Sequence, residues 1–207
     1  MKVLLINGSP KAKGCTYTAL TEVAKELESN GIETEIFHVG TKPIRGCMAC
    51  NGCSNTNGLC VFNDDTVNIA LEKAKEADGF VFGSPVHYAA ASGQITSFLD
   101  RFFYAGDGFQ YKPGAAIVSC RRGGSTAAFE QLNKYFTISN MPIVSSQYWN
   151  MVHGNTPEEV EQDLEGMQTM RVLGRNMAWL LNCINAGKEA GVKLPKEEAR
   201  AITNFIR

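Results

Sequence analysis

The stretch KVLLINGSPKAKGCT, residues 2–16, decides the fold. Its apolar run from Val3 to Ile6 ends at once in Asn7-Gly8-Ser9-Pro10, which is typical of a buried strand that enters a tight loop. From Thr16 to Asn30 the apolar residues recur at helical spacing, and an Asn-Gly pair follows. The chain therefore begins with a strand, a loop and a helix, the first unit of a βαβ sheet.

The same alternation continues along the chain. Further strands are predicted at 32–39, 79–83, 115–120 and 142–145, and further helices at 64–77, 93–104, 125–136 and 156–187. This spacing indicates a parallel sheet joined by right-handed crossovers, with helices on both faces. We predict one domain over residues 1–207, with a cysteine-rich loop at 40–63 and a C-terminal helix at 156–187.

Composition limits the class of partner. Apolar residues make up 44% of the chain, charged residues 20%, and the formal net charge is -1, so neither a nucleic acid nor a membrane is expected as a partner. No stretch approaches the roughly 18 apolar residues that cross a bilayer. The first residues carry no export signal, so a cytoplasmic location is expected, and in that compartment the seven cysteines are not expected to form a disulfide framework.

Three strands end in loops that favour ligand binding, and parallel strands bring such loops to one edge. In the first loop Gly8 and Gly14 allow close approach of the backbone, and Ser9, Cys15 and Thr16 offer donors. The N-terminus of the following helix adds free N–H groups and a positive dipole end, so this loop suits a phosphate. It matches neither a Walker A loop nor a dinucleotide fingerprint, and a simple glycine-containing turn is the alternative.

The second and third loops suit a flat ring. The second contains Ser84, Pro85, Val86, His87 and Tyr88, whose aromatic faces and polar edges fit a planar ring such as isoalloxazine. The third contains Cys120, Arg121, Arg122, Gly123 and Gly124. Its arginines suit the electron-rich N1–O2 edge of a reduced flavin or the phosphate of a nicotinamide dinucleotide, unless they are merely solvated.

Several motifs resemble the NADPH-dependent FMN reductase family and its iron–sulfur flavoprotein branch. They are Asn7-Gly8-Ser9-Pro10, Gly14-Cys15-Thr16, Gly83-Ser84-Pro85-Val86-His87-Tyr88 and Ser97-Phe98-Leu99-Asp100-Arg101. The resemblance implies a flavodoxin-like three-layer α/β/α sandwich with a five-stranded parallel sheet in the order 2-1-3-4-5. It also implies a homodimer or higher homo-oligomer.

The resemblance further implies roles for individual residues. Ser9, Lys11, Cys15 and Thr16 would hold the FMN phosphate, although the family usually has Asn where this chain has Cys15. The segment Ser84 to Tyr88 would contact the ring and ribityl chain, and Gly123 and Gly124 would approach the pyrimidine side. The flavin carries the chemistry in such proteins, so no catalytic acid or base is assigned.

Four cysteines crowd into the loop at 40–63. Cys47, Cys50, Cys53 and Cys60 have the local spacing of a [4Fe–4S] ligand set, and they resemble the compact motif of iron–sulfur flavoproteins. Zinc bound by four thiolates is an alternative, and so is a loop that holds no metal.

Three functions follow as hypotheses. The first is an FMN oxidoreductase that takes a hydride from NAD(P)H and reduces a small acceptor: a quinone, an azo or nitro compound, a free flavin or a metal ion. The second is an electron carrier that relays electrons between FMN, a [4Fe–4S] cluster and a ferredoxin-like partner. The third is a binding module that uses the same edge for another phosphate ligand.

Overall fold

A computed structural model describes residues 1–205 of the chain. Its strands are β1 Lys2–Asn7, β2 Glu33–His38, β3 Gly79–His87, β4 Ala90–Ala91, β5 Gly114–Cys120 and β6 Met151–His153. Its helices are α1 Cys15–Ser29, α2 Val67–Lys75, α3 Gly93–Ala105, α4 Ser125–Ile138, α5 Pro157–Gln162 and α6 Leu164–Glu189, with one 3₁₀ turn at Gly52–Asn55.

The sheet confirms the predicted fold class. Its parallel strands lie in the order β2-β1-β3-β5-β6, which is the order 2-1-3-4-5 when the five parallel strands are counted along the chain. The short β4 is an addition, because it pairs antiparallel with the end of β3. The structure is therefore a flavodoxin-like α/β sandwich with one extra hairpin strand.

Alternating residues of β1 divide the core into two layers. Leu4 and Ile6 pack with Phe80 and Phe82 of β3 against α2, α3 and α4. Val3 and Leu5 point to the opposite face and pack against α1 and α6. Both faces are therefore covered, as the continuous apolar run predicts for a central parallel strand. Within the described residues, no helix combines the length and apolar character that a membrane span requires.

The predicted fifth strand at 142–145 is wrong. Only an isolated bridge joins Ile143 to Gly114, and the strand that pairs with β5 is β6. Pro142 has no N–H to donate to a ladder. The chain returns to the sheet at Asn150, whose backbone carbonyl accepts from Val118 N at 3.0 Å. The side-chain amide of Asn150 donates to Ala116 O at 3.0 Å.

The predicted helix at 156–187 is two helices that meet at Asp163. The Asp163 carboxylate accepts hydrogen bonds from Gly166 N at 3.0 Å and from His153 N at 2.6 Å. It therefore caps α6 and ties it to the end of β6, and this capping requires a non-helical residue between α5 and α6.

Candidate functional site

The three loops predicted to share an edge lie together. Gly8 N donates to Gly83 O at 2.9 Å, so the first loop is bonded to β3. The Ser92 hydroxyl donates to Gly8 O at 2.9 Å, while Ser92 N donates to the Ser84 hydroxyl at 3.0 Å. These bonds fix the carboxyl ends of β1 and β3 against the start of α3. The surface that the three loops form at this edge of the sheet is called the rim below.

The first loop is rigid and presents an open helix end. Lys11 N donates to the Ser9 hydroxyl at 3.1 Å. Helix α1 begins at Cys15 without a side-chain cap and without an acidic residue in its first turn. The first N–H groups of a helix lack intrahelical partners, so this end of α1 offers donors and a positive dipole end to an anion.

Two residues predicted to contact the ligand have partners within the chain. The Thr16 hydroxyl is buried and lies 2.9 Å from the Ser119 hydroxyl of β5. The Ser84 hydroxyl is also buried; it donates to Pro85 O at 2.7 Å and accepts from Ser92 N. Both side chains therefore join the loops to one another, and at Thr16 the backbone N–H is the group left for a ligand.

The second loop is a hairpin that projects from the rim. Val86 pairs with Ala91 and His87 with Ala90. Tyr88 and Ala89 form the turn with φ values of +50° and +61°, the left-handed pair that a two-residue hairpin turn requires. The Tyr88 side chain is fully exposed. The turn lacks the usual Asn-Gly signal, and for this reason sequence patterns did not predict it.

Packing against that hairpin restricts the third loop. Gly124 has φ +92°, and a Cβ added there would lie 2.5 Å from the Cα of Ala89. A Cβ at Gly123 would meet nothing within 4 Å. Gly124 is thus required by the contact between the two loops, whereas Gly123 faces open space from which a ligand can approach.

Exposed cations surround the rim. Lys11, Lys13, Arg121 and Arg122 are exposed, and none of them forms an ion pair with a residue in the described part of the chain. Cations without acidic partners attract anions, against the carboxylates of Glu158 and Glu159, which also act on Cys15 at this edge. This charge and the open end of α1 together favour a phosphorylated ligand.

Two thiols at the rim are held in the protonated form. Burial raises the pKa of Cys15, against the smaller lowering by its own backbone N–H and by Lys11; the thiol lies 3.8 Å from Gly154 O. Burial also raises the pKa of Cys120, whose thiol donates to Arg122 O at 3.7 Å. Both thiols are therefore suited to packing the loops rather than to acting as thiolate nucleophiles.

Two residues to which the sequence analysis assigned no role at the site also shape the rim. The buried Asn7 accepts from Ser9 N at 3.1 Å and donates to Ala12 O at 3.0 Å, so its side chain shapes the first loop. The His38 ring lies 2.8 Å from Ser9 O. A polar residue directly after a buried strand was the available signal for Asn7.

The four clustered cysteines line one pocket beside α3. Cys47, Cys50, Cys53 and Cys60 share its wall with Arg101 and Tyr104. Cys47 Sγ accepts from Ala49 N at 3.4 Å, Cys53 Sγ donates to Tyr104 O at 3.7 Å, and Cys60 Sγ accepts from Arg101 Nε at 3.3 Å.

The thiols of this pocket are donors of the type that an iron–sulfur cluster requires. Among residues 1–205, no group of three or more His, Cys, Asp or Glu side chains converges closely enough to hold one metal ion. In a cubane each cysteine binds a different iron, so the thiolates have to line a shared pocket without meeting at a point. Four residues of the pocket wall are cysteines, and thiolates are the ligands such clusters use.

Fold and rim together define the class: a flavodoxin-like protein whose sheet edge is built for a phosphorylated cofactor. The profile of a family described as NADPH-dependent FMN reductase matches residues 1–156. An iron–sulfur flavoprotein of Methanocaldococcus jannaschii is 34% identical over 89% of this chain and 99% of its own length. The chain belongs to the NADPH-dependent FMN reductase family, within its iron–sulfur flavoprotein branch, and is an FMN-dependent oxidoreductase of that family.

Other similarities agree with this assignment. An FMN-dependent NADPH-azoreductase of Staphylococcus saprophyticus is 36% identical over 56% of this chain and 59% of its own length. The structure of a flavodoxin from the domain Archaea superimposes with a TM-score of 0.57 at 16% identity, covering 88% of this chain and 99% of that chain. The last similarity concerns the fold alone.

Proposed function

We propose that this protein transfers a hydride from NAD(P)H to FMN and passes the electrons to a small acceptor. The proposed acceptors are quinones, azo and nitro compounds, free flavin and metal ions, and the azoreductase relative supports the azo compounds among them. The observation that carries the proposal is the rim, where the uncapped end of α1 lies among exposed cations without acidic partners. The flavin, when bound, supplies the redox chemistry, and the chain has to hold and orient it.

In this proposal the first loop holds the phosphate. The backbone N–H groups of Cys15 and Thr16 and the side chains of Ser9 and Lys11 are the donors, because they surround the open end of α1. Lys11 is exposed and has no acidic partner among the described residues, so its charge is available to the anion.

The other two loops are proposed to orient the ring. The hairpin of β3 and β4 stands beside Gly123 and Gly124. The open space at Gly123 permits an approach along the backbone, and Arg121 and Arg122 are exposed next to it. A guanidinium there would stabilise negative charge on a reduced ring or the phosphate of the incoming nucleotide.

Rapid mixing without oxygen tests the first function. The FMN-loaded protein is expected to lose its flavin absorbance near about 450 nm, a property of flavins in general, when NADH or NADPH is added. A matched variant, Arg121→Gln, is expected to bind FMN but to be reduced more slowly by the nucleotide. A protein that takes up no FMN would contradict the proposal, and so would one that neither nucleotide reduces.

A relay through a [4Fe–4S] cluster is the second candidate. The specific observation that favours it is the pocket lined by Cys47, Cys50, Cys53 and Cys60, together with relatives that are named iron–sulfur flavoproteins. The cluster, when bound, would accept single electrons, and a ferredoxin-like protein is the proposed partner. Reduction that is fast with ferredoxin and absent with both nucleotides would favour the relay over the first function.

Iron and sulfide assays on anaerobically purified protein test the cluster directly. A cubane requires four irons, so fewer than about one iron per chain contradicts the relay, and zinc in place of iron would identify the other metal. Cys50→Ser is expected to lower the iron content. Cys183→Ser is the matched control, because Cys183 is an exposed cysteine outside the pocket.

The proposed assembly is a homodimer or higher homo-oligomer of single-domain chains in the cytoplasm. Support comes from large side chains exposed on one region after β5 and on the last helix, including Tyr148, Trp149 and Trp179. Aromatic residues of this kind are enriched at protein interfaces. Light scattering of the FMN-loaded protein measures the assembly, and a monomer at micromolar concentration would contradict it.

A further inference from the structure

The most deeply buried charge in the described chain is a guanidinium next to a proposed cluster ligand. Arg101 has 1% of its surface exposed, although arginine is rarely buried unless it is paired. Its Nε donates to Cys60 Sγ at 3.3 Å. Its Nη1 contacts the carboxylate of Asp65, whose side chain is 4% exposed. The contacts of the buried Arg101 guanidinium therefore indicate which segments of the chain it holds together.

Arg101 fastens both ends of the cysteine loop to α3. Before the cysteines, Arg45 O accepts from its Nη1 at 3.3 Å. After them, Phe62 O accepts from its Nη2 at 2.8 Å, in addition to the contacts with Cys60 and Asp65. One side chain therefore closes the segment that carries all four thiols.

Cys60 is the most firmly placed of the four cysteines. Its N–H donates to Asn68 Oδ1 at 2.8 Å and its carbonyl accepts from Asn68 Nδ2 at 2.8 Å, while its sulfur accepts from Arg101. Cys50, in contrast, is exposed, and Ala49 and Asn51 on either side of it have φ values of +50° and +56°. The loop thus combines one cysteine held by three hydrogen bonds with an exposed cysteine at position 50.

We propose that Arg101 is the positioning residue of the cluster: it fixes Cys60 as the anchoring ligand, and its charge raises the reduction potential of the bound cluster. This inference rests on the proposed cluster. An N–H donated to a ligand sulfur and a nearby positive charge both stabilise the more negative, reduced state. Asp65 partly compensates this charge, so removing Arg101 should lower the reduction potential of the cluster and removing the charge of Asp65 should raise it.

The test measures the midpoint potential of the cluster in the anaerobic holoprotein by redox titration of its spectroscopic signal. Arg101→Gln is expected to shift the potential downwards, and Arg101→Lys to shift it less because the charge is kept. Asp65→Asn is expected to shift it upwards, because the guanidinium is no longer compensated. Arg101→Gln should also lower the affinity for iron, measured by competition with a chelator, by about 10- to 100-fold, the range for residues that orient metal ligands.

Arg45→Gln is the matched control. Arg45 is a second arginine of the same region, but its side chain is 47% exposed and its ion-pair partner Asp64 is 67% exposed, so water screens its charge. This variant should leave the cluster potential unchanged. The flavin potential, read in the same titration, should be unchanged in every variant because none of these side chains belongs to the rim.

The outcomes separate this inference from the function on which it rests. Absence of iron and sulfide from the wild-type protein overturns the cluster itself. A wild-type cluster whose potential moves in the same direction in Arg101→Gln and Asp65→Asn, or in neither, overturns the role assigned to Arg101 and leaves the cluster standing. If Arg101→Gln does not fold, the upward shift in Asp65→Asn decides, and its absence refutes the proposal.

Discussion

The same substitution should have different effects on stability at two neighbouring glycines of the rim. At Gly124 an alanine would have to adopt φ +92° and to place its Cβ 2.5 Å from Ala89 Cα. The left-handed conformation costs about 1–2 kcal/mol and forced overpacking about 1–3 kcal/mol. Together they predict that Gly124→Ala lowers the free energy of unfolding by about 2–5 kcal/mol. At roughly 2–4 °C per kcal/mol for a chain of this size, Tm should fall by roughly 4–20 °C.

Gly123→Ala is the matched control for folding and a probe of the site. Its Cβ would meet no atom within 4 Å, and Gly123 lies outside the left-handed region, so stability should change by less than about 0.5 kcal/mol. If a ligand approaches there, FMN affinity should nevertheless fall.

Urea unfolding of the apoprotein and FMN fluorescence titration separate the two effects. Gly124→Ala should lose stability, and Gly123→Ala only affinity. A Gly124→Ala protein as stable as the wild type would refute the packing argument, because the clash involves backbone that has no rotamer to move.

Three further changes have defined outcomes. Thr16→Val removes the hydroxyl beside Ser119 and leaves a buried group unpaired, so urea unfolding should show a loss of about 1–3 kcal/mol, and the double variant with Ser119→Ala should recover part of it. Lys11→Gln should weaken FMN binding by up to roughly fivefold at low salt and less at high salt, whereas Lys188→Gln at the end of α6 should not; equal effects of both variants would argue against a phosphate site at α1. Burial raises the pKa of Cys15 and Cys120 in the folded state. Their contribution to stability is therefore present below the pKa of the unfolded state, about 8.5, and falls as the pH rises above it. Cys120→Ala should flatten the decline in unfolding free energy between pH 8 and 10, and an unchanged slope would contradict the assignment.

Local sequence patterns predicted the elements whose conformation depends on neighbouring residues in the chain. The apolar run of β1, the tight loop after it and the helix from Cys15 depend on neighbours in the chain, so their positions were confirmed. The sharing of one edge by the three loops followed from the parallel sheet alone. The hairpin at Tyr88 was missed because its left-handed turn is stabilised by packing on Gly124, 36 residues further along, and not by an Asn-Gly pair.

The same distinction explains why the internal contacts of some predicted site residues were not foreseen. Thr16 and Ser84 are the residue types that phosphate loops use, and composition cannot distinguish a donor aimed at a ligand from one aimed at Ser119 or Ser92. Arg101 belongs to a family-like motif, yet its burial depends on Asp65, which lies in the loop before α2. Contacts between distant segments decide these roles, and periodicity carries no information about them.

Helix α3 connects the two candidate sites mechanically. Its N-cap residue Ser92 bonds to Gly8 and Ser84 at the rim, and Arg101 near its other end closes the cysteine loop. Nine residues at about 1.5 Å each place these two points roughly 14 Å apart along the axis. Hydrogen bonds hold each end of α3, so one helix contacts both the rim and the cysteine pocket. A flavin at the rim and a cluster in the cysteine pocket would therefore lie beside opposite ends of the same helix.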